Sequence, residues 1–309
     1  MELDILTIGI CTLDHIACVP DFPRPDGRLD MTGLVTSVGG IAAVAGVAAA
    51  RLGARVGFAG TIGADDAGRI VHSALRSDGV DITLLDVQRD VDTPSCIVIS
   101  NRSAGTRSIL NDPNVVSYGL HARAEILPVA TQARYVHFDF SAFHGLAQDV
   151  LPHCRETGTQ ISVDAGVDFS GIWDYLPSID VYASTDDQIK AITGETELAR
   201  GMALVRAAGP RVVVATLGER GSAGLTADGR MVFAPAFDVP VIDTLGAGDV
   251  FHGALLYALL KGRNLEDSLV FSNAAAALSC QVVGGRNGCP TLGDVEALLA
   301  AGCPRKGQL

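Results

Sequence analysis

Short apolar stretches with strand character alternate with helical stretches along most of this chain, and this rhythm constrains the fold more than any other feature. Six stretches read as buried strands: Ile5–Ile10, Val56–Gly60, Ala133–Phe138, Gln160–Asp164, Val181–Ala183 and Val212–Thr216. Helical segments separate most of them, and an Ala-rich one opens after two glycines and ends near Gly53. Strands that alternate with helices predict a mostly parallel sheet covered by helices on both faces. A chain of 309 residues is long enough to bury one large core of this kind.

Two segments interrupt the alternation and read as extended. The first lies around Cys18–Val38, and the second, around Thr93–Leu110, contains a predicted hairpin. Open α/β sheets bind their ligands at the carboxyl ends of the strands. We therefore predict a single α/β domain over residues 1–309, with segments of about 12–38 and 92–112 forming a small β lid above that edge.

Charge and cysteine content exclude several classes of partner. The net charge is −12 and the isoelectric point is near 4.9, which argues against nucleic acid or an anionic membrane as the main partner. Seven cysteines occur without Cys-x-x-Cys spacing, a pattern typical of reduced cytoplasmic thiols. The N-terminus has no basic segment typical of a signal peptide, and the longest apolar run, around Ile41–Ala50, is too short to span a membrane. A cytoplasmic location is expected.

A glycine-rich turn followed by a carboxylate carries the strongest chemical signal. Residues Asp243–Asp249 read Asp-Thr-Leu-Gly-Ala-Gly-Asp and lead into an apolar helical run. Glycines allow close backbone approach, and the free N–H groups that open a helix favour an anion such as phosphate. A carboxylate would repel that phosphate, so Asp249 is interpreted as a base facing a neighbouring hydroxyl. The combination predicts phosphoryl transfer to an alcohol.

Three other interpretations of the turn were considered. A dinucleotide fingerprint would need a third glycine where Phe251 stands, and a P-loop would need a Gly-Lys pair that the chain lacks. A purely structural turn, with Asp249 capping the helix, remains an alternative.

Other stretches extend the pattern over nearly the whole chain. They are Val38–Gly40, Gly60–Gly68 and Ala215–Ser222. Together with Asp243–Asp249 they resemble the motifs of the PfkB, or ribokinase-like, carbohydrate kinase family. The resemblance implies a ribokinase-like three-layer α/β/α sandwich with a β-sheet lid, an ATP:sugar phosphotransferase that uses Mg²⁺, and a homodimer formed through the lid strands.

The resemblance also implies roles for particular residues. Asp249 would be the catalytic base. The amides of the turn would form the anion hole for the γ-phosphate: Gly246, Ala247 and Gly248. ATP would lie beside Thr216, Gly218, Gly221 and Asn273. The sugar hydroxyls would meet Asp14, Gly39 and Gly40; for Asp14, a turn or cap carboxylate is the alternative.

The chain departs from the family pattern at several positions. Val44 stands where an Asn is common, and Thr185 and Gln188 stand where many members have an Asn-x-x-Glu motif that organises magnesium and phosphate. Thr185 is kept as a nucleotide-side residue and Asp187 as a ligand of Mg²⁺ through water, with a helix N-cap as the alternative. Asp243 is a candidate for a monovalent cation such as K⁺, and an ordinary cap explains it equally well.

These departures resemble the ketohexokinase and sulfofructose kinase branch. Arg28, Arg107 and Asn111, on or beside the lid segments, are candidate contacts of the substrate, with solvated surface or turn residues as the alternatives. Ser141 stands where an arginine is expected for sulfofructose, which argues against that substrate. His252 is interpreted as a helix residue packed beside the site.

The predicted function is ATP-dependent phosphorylation of a hydroxyl on a ketose-like sugar or sugar derivative. A nucleoside kinase of the same fold is the first alternative; it would need aromatic surfaces, for which Phe138, Phe140 and Phe143 are candidates although aromatics make up only 5% of the chain. A non-catalytic sugar-sensing protein is the second alternative, and the intact Asp249 argues against it.

Overall fold

The computed structural model describes residues 3–112, 123–166 and 171–302, which form two β-sheets and the helices around them. The strands are β1 Ile5–Ile8, β2 Thr12–Val19, β3 Gly33–Gly39, β4 Val56–Gly63, β5 Asp81–Gln88, β6 Ser95–Asn101, β7 Thr106–Asn111, β8 Tyr135–Asp139, β9 Gln160–Asp164, β10 Val181–Thr185, β11 Val212–Thr216, β12 Ser222–Leu225 and β13 Met231–Ala234. The helices are α1 Ile41–Arg51, α2 Asp66–Ser77, α3 Arg123–Ala130, α4 Phe140–Thr157, α5 Asp186–Thr193, α6 Leu198–Ala207, α7 Ala247–Leu260, α8 Leu265–Ser279, α9 Gly285–Gly288 and α10 Leu292–Ala301.

The large sheet has the strand order β13-β12-β11-β10-β9-β8-β1-β4-β5. The pairings from β11 to β5 are parallel, whereas β12 and β13 add an antiparallel hairpin at one edge. Because successive side chains of a strand point to opposite faces, Ile5 and Leu6 of β1 enter different hydrophobic cores. One core contains α1, α7 and α8, and the other contains α4 and α6. This arrangement confirms the predicted three-layer α/β/α sandwich.

The two segments predicted to be extended form the small sheet, of order β3-β2-β6-β7. Its outer pairs, β2 with β3 and β6 with β7, are antiparallel, and the central pair of β2 with β6 is parallel. Strand β2 begins three residues after β1 ends, and β6 follows β5 through a short connection. Both insertions thus leave the large sheet at its carboxyl edge, so the small sheet lies at that edge.

Three strands of the large sheet were not among those predicted. Strand β5 lies at one edge and mixes exposed polar with buried apolar residues, and β12 and β13 are four-residue strands at the other edge. An edge strand carries a weaker apolar signal than a buried parallel strand, which explains the omission of β5 and β13, whereas β12 is buried but only four residues long and contains Gly224. Among the described cysteines no disulfide forms, and no helix of the described residues is long and apolar enough to cross a membrane.

Candidate active site

The glycine turn before α7 is closed on one side and open on the other. Gly246, with φ of 76°, is the N-cap of α7, and a Cβ placed on it would lie 2.5 Å from the Cα of Gly285. A Cβ on Gly248 would have no heavy atom within 4 Å. The first turn of α7 therefore faces open space on its Gly248 side, where the helix dipole and unbonded amides favour an anion. The Ala247 amide makes a long turn bond of 3.3 Å to the Thr244 carbonyl, so it is the least free of the three predicted donors.

Asp243 fixes the shape of this turn. One carboxylate oxygen accepts the Leu245 amide at 3.1 Å and the other accepts the Gly284 amide at 2.9 Å. The side chain is buried, so the carboxylate joins the glycine turn to the start of α9. This geometry is that of a turn carboxylate, the alternative that the sequence left open beside a cation site.

Asp249 lies in the first turn of α7 and is only partly exposed. Burial, reinforced by the nearby carboxylate of Asp164, raises the pKa of Asp249 to about 8, while the guanidinium of Arg107 opposes this rise. The more distant carboxylates of Asp14 and Asp139 add to it. A carboxylate with raised proton affinity in a cleft is suited to accept a proton.

Arg107 brings the small sheet to the glycine turn. Its Nη1 donates a hydrogen bond of 2.7 Å to the Thr244 hydroxyl. In the register of the small sheet, Arg107 pairs with Ser100, four rows from the row in which Asn111 pairs with Cys96 and Cys96 with Asp14. Residues two apart on a strand share a face, so Arg107, Asn111 and Asp14 all belong to the face directed at the cleft.

Asp14 is buried beneath this face against two glycines. Its Oδ1 accepts a hydrogen bond of 2.6 Å from the Thr12 hydroxyl, and a Cβ on Gly39 would stand 2.0 Å from its Oδ2. Gly40 has φ of 92°, and a Cβ there would meet the Ile10 carbonyl at 2.4 Å. Burial raises the pKa of the Asp14 carboxyl. The paired glycines are thus required for the carboxylate and backbone to pack this closely.

The two other predicted substrate contacts differ in position. Asn111 ends β7 in the same row as Asp14, and its Oδ1 accepts a weak hydrogen bond from the Cys96 thiol at 3.5 Å. Arg28 is an exposed residue of the segment between β2 and β3, and no described hydrogen bond or ion pair brings it to Asp249. The structure therefore brings Asn111, but not Arg28, to the row that holds Asp14.

The predicted nucleotide-side residues cluster around the end of β11. Thr216 ends that strand, and its hydroxyl bonds the Ser184 carbonyl at 3.4 Å. Gly218 and Gly221 both have positive φ, of 59° and 107°; only Gly221 is crowded, since its Cβ would lie 2.1 Å from the Ala234 carbonyl oxygen. Asn273 is buried on α8 and donates to the carbonyls of Ala234 and Pro235, at 2.9 and 3.2 Å. Gly221 and Asn273 thus lie against the connection that follows β13, and Gly218 faces open space.

Thr185 caps α5 in the structure. Its hydroxyl accepts the Gln188 amide at 3.2 Å and the Gln188 side chain accepts the Thr185 amide at 3.1 Å, which is a capping box. Asp186 pairs with Arg220 at 2.8 Å and with Lys190 at 3.3 Å. The Asp187 side chain is 92% exposed. Thr185 and Gln188 therefore satisfy each other's hydrogen-bonding groups. Of the two carboxylates that open α5, Asp187 is the more exposed to solvent.

A group of buried polar residues lies behind Asp249; of these the sequence pointed only to His252, as a helix residue packed beside the site. Asp139 ends β8, caps α4 and binds the Ile10 amide at 2.6 Å, and Asp164 pairs with it at the end of β9. His252 of α7 has its Nε2 3.3 Å from Asp164 Oδ2, and the His137 ring centroid lies 5.7 Å from that of His252. The available signal was positional, because both aspartates follow predicted strands at the carboxyl edge.

The predicted aromatic cluster is largely internal. Phe138 and Phe143 are fully buried and pack edge to face, with ring centroids 5.5 Å apart. Phe143 also packs against Tyr175 at 5.1 Å. Phe138 and Phe143 are therefore core residues rather than a stacking surface for a base, which corrects the placement considered from the sequence.

The chain is similar to known carbohydrate kinases over nearly its whole length. The family model described as pfkB family carbohydrate kinase matches residues 2–292. The ribokinase of Haemophilus influenzae is 28% identical over 306 residues, covering 94% of this chain and 96% of the relative. The ketohexokinase of Mus musculus is 25% identical over 295 residues, covering 92% and 98%.

A solved structure of Arabidopsis thaliana ribokinase, described as complexed with ribose and ATP, superposes with a TM-score of 0.84 at 24% identity, covering 97% of this chain and 99% of that one. The curated relatives as a group include ribokinases, other sugar kinases and nucleoside kinases. Because the family model covers nearly the whole chain, the protein belongs to the PfkB family of carbohydrate kinases.

Proposed function

We propose that the protein is an ATP-dependent sugar kinase that transfers the γ-phosphate to a hydroxyl group of a ketose-like sugar or sugar derivative. One observation carries the proposal. A carboxylate of raised proton affinity, Asp249, stands beside the open first turn of a helix that suits a phosphate. The acceptor would lie between this carboxylate and the row of the small sheet that holds Asp14.

The chain's own residues supply each part of the transfer. Asp249 takes the proton of the attacking hydroxyl, and the amides around Gly246 and Gly248 stabilise charge on the phosphoryl group as it moves. Asp14 orients the acceptor through hydrogen bonds to its hydroxyls. Arg107 adds a cation at the same point, since it already reaches the Thr244 hydroxyl. Holding both reactants in this geometry provides most of the catalysis expected for phosphoryl transfer.

The donor would be ATP, beside Thr216, Gly218, Gly221 and Asn273, with the uncrowded Gly218 nearest to it. Magnesium would accompany the triphosphate, whose oxygens are ligands that this cation prefers. Asp187, exposed at the start of α5, is the residue that would reach it through water. When bound, the metal neutralises phosphate charge. Thr185 would contribute to this side only through its cap, and K⁺ at the Asp243 turn would have to share a carboxylate whose two oxygens already accept the Leu245 and Gly284 amides.

A sugar acceptor is favoured over a nucleoside. A nucleoside pocket needs an aromatic surface for the base, but Phe138 and Phe143 are both in the core, and the partly buried Phe140 packs against the same core. The polar face of Asp14 and Asn111 suits hydroxyl groups instead. A ketose-like acceptor, as in the ketohexokinase branch, is proposed from the sequence departures at Val44 and Thr185.

We also propose that the protein is a homodimer formed through the outer face of the small sheet. On that face Leu34, Ile97 and Leu110 are 65%, 55% and 53% exposed. The register places Leu110 opposite Ile97 and places Leu34 two rows away on the same face, so the three form one apolar surface. Such a surface on a small sheet with open edges favours a second copy.

The test is an ADP-release assay with ATP and magnesium against ketoses, aldoses, sulfosugars, polyols and nucleosides. We expect one sugar to give strong turnover, and Asp249→Asn to lose about 10²–10⁴-fold in kcat, the usual effect of removing a general base. ATP affinity of the same variant, measured by calorimetry, should stay near that of the unmodified protein. Preference for a nucleoside would refute the acceptor class, and near-normal turnover of Asp249→Asn would refute the base.

A further inference from the structure

A buried pair of side chains behind Asp249 has no part in the proposed transfer. Asp164 ends β9 at the carboxyl edge of the large sheet, and His252 lies three residues after Asp249 on α7. Residues three apart on a helix lie on the same face, so Asp249 and His252 are neighbours there. The His252 Nε2 is 3.3 Å from Asp164 Oδ2, and their side chains are only 5% and 14% exposed. Asp164 is thus fixed against the face of α7 that carries Asp249.

We propose that Asp164, held by His252, is a positioning residue that keeps Asp249 basic enough to accept the proton of the acceptor hydroxyl. The inference rests on the proposed function, in which Asp249 is the base. It assigns to Asp164 an electrostatic role and no contact with the reacting atoms.

The physical reason is repulsion between like charges that are shielded from water. An ionised Asp164 makes ionisation of Asp249 more costly, so Asp249 binds its proton more tightly. Burial is the main cause that raises the pKa of Asp249 to about 8, and Asp164 is the largest charged contributor. Burial and then Asp139 raise the pKa of Asp164 itself to about 7. The two carboxylates therefore titrate as a coupled pair.

The other charged groups that face the pair come from several elements. Around Asp249, Arg107 of β7 opposes the rise of its pKa, whereas Asp14 of β2 and Asp139 of β8 add to it. The Cys289 thiol also interacts electrostatically with Asp249. Around Asp164 they are His252, Asp139 and the buried Tyr182 of β10. Arg107 is the one cation among these named groups, and it stands on the cleft side, opposite Asp164.

His252 is the group that can hold Asp164 in its charged form. Burial lowers the pKa of His252 to about 4, so at neutral pH the ring is uncharged. An uncharged ring carries one N–H, and Nε2 is the ring nitrogen that faces Asp164, 3.3 Å from its Oδ2, so a proton held there would stabilise the carboxylate. His137 packs beside it, bonded to the Ser162 hydroxyl through Nδ1 at 3.1 Å, and its buried Nε2 has no partner among the described residues. The surroundings of His252 therefore offer Asp164 as its acceptor.

The first measurement is the pH dependence of kcat/KM for Asp164→Asn with the best acceptor. We expect the acidic limb to move to lower pH by about one unit, because loss of the neighbouring charge lowers the pKa of Asp249. The plateau rate should fall several-fold, since a weaker base accepts the proton less readily. The matched control is Asp180→Asn, which removes the same charge at the opposite edge of the sheet, before β10. An acidic limb that Asp164→Asn leaves in place would overturn the proposal.

Two variants of the histidine separate an electrostatic from a structural role. His252→Leu removes the donor and should move the limb in the same direction as Asp164→Asn. His252→Gln keeps an N–H donor and should retain the unmodified profile. If Asp164→Asn does not fold, this pair decides the question alone, and equal profiles for both histidine variants would refute the role.

A second readout does not depend on activity. Carboxyl carbons of the protein labelled with ¹³C-aspartate can be titrated by NMR, with Asp249→Asn identifying the Asp249 signal. We expect Asp164→Asn to lower the Asp249 midpoint and Asp180→Asn to leave it unchanged. If no acceptor is phosphorylated but the midpoint shifts, the proposed function fails and the coupling stands. If an acceptor is phosphorylated and the midpoint stays, the coupling fails alone.

Discussion

The glycine turn offers a pair of substitutions that separates its structural part from its chemical part. Gly246→Ala forces a Cβ into the left-handed region at φ of 76°, which costs about 1–2 kcal/mol. The same Cβ would stand 2.5 Å from the Cα of Gly285, and because that atom is backbone the overpacking adds about 1–3 kcal/mol. Gly246→Ala should therefore destabilise the protein by about 2–5 kcal/mol in total.

The expected change in melting temperature follows from the size of the chain. At about 2.1 cal/mol/K per residue over 309 residues, each kcal/mol lowers Tm by about 1.5 °C. Gly246→Ala should thus lower Tm by about 3–7 °C. Gly248→Ala is the matched variant, because its Cβ meets nothing within 4 Å and alanine favours the helix by up to about 1 kcal/mol. Its Tm should stay the same or rise slightly.

Gly248→Ala, which should keep its stability, is the variant expected to lose activity through direct interference with the phosphoryl group. The Cβ of Gly248→Ala projects into the open space where the phosphoryl group is proposed to sit, so kcat/KM should fall, by up to the order of 10²–10³-fold if the phosphoryl group loses its contact with one anion-hole donor. Thermal melts by circular dichroism and the ADP-release assay measure the two effects. A fully active Gly248→Ala would refute the placement of the phosphate, and an unchanged Tm for Gly246→Ala would refute the tight contact with Gly285.

Two other predictions concern the small sheet. Arg107→Gln removes the cation that opposes the raised pKa of Asp249, so the acidic limb of the pH–rate profile should move to higher pH. The control Thr244→Val breaks the hydrogen bond to Arg107 but keeps the charge, so it should move the limb less. A shift to lower pH in Arg107→Gln would contradict the assignment. Ile97→Lys should convert a dimer to a monomer in light-scattering measurements. The control Val87→Lys, on the exposed edge strand β5, should leave the dimer intact. A dimeric Ile97→Lys would refute the interface.

The sequence predicted the parts of the molecule that repeat a simple physical pattern. Buried parallel strands are continuous apolar runs, and Gln160–Asp164 and Val212–Thr216 were predicted with the bounds observed. The segments of the small sheet were recognised because they lack the helical alternation. Strand β5 was not predicted because an edge strand has one solvated side and therefore mixes polar with apolar residues.

The candidate site was predicted less completely. Asp249 and the glycine turn are local motifs, so their position could be read directly. The link from Arg107 to Thr244 depends on how two distant segments pair, and the contact of His252 with Asp164 depends on the angle at which α7 crosses β9. Neither the pairing of distant segments nor the crossing angle of a helix is encoded in the spacing of residues along the chain.

The pairing of β2 with β6 has a consequence for how the chain acquires its structure. These neighbouring strands of the small sheet are separated along the chain by β3, α1, β4, α2 and β5. Closing so long a loop is unfavourable until the intervening elements have packed, so the small sheet is expected to assemble late. During synthesis β2 and β3 can therefore pair only with each other, and the β2 edge and the apolar residues of this hairpin stay exposed until β6 has been made. The interval before β6 arrives is the period in which the chain is most prone to aggregate.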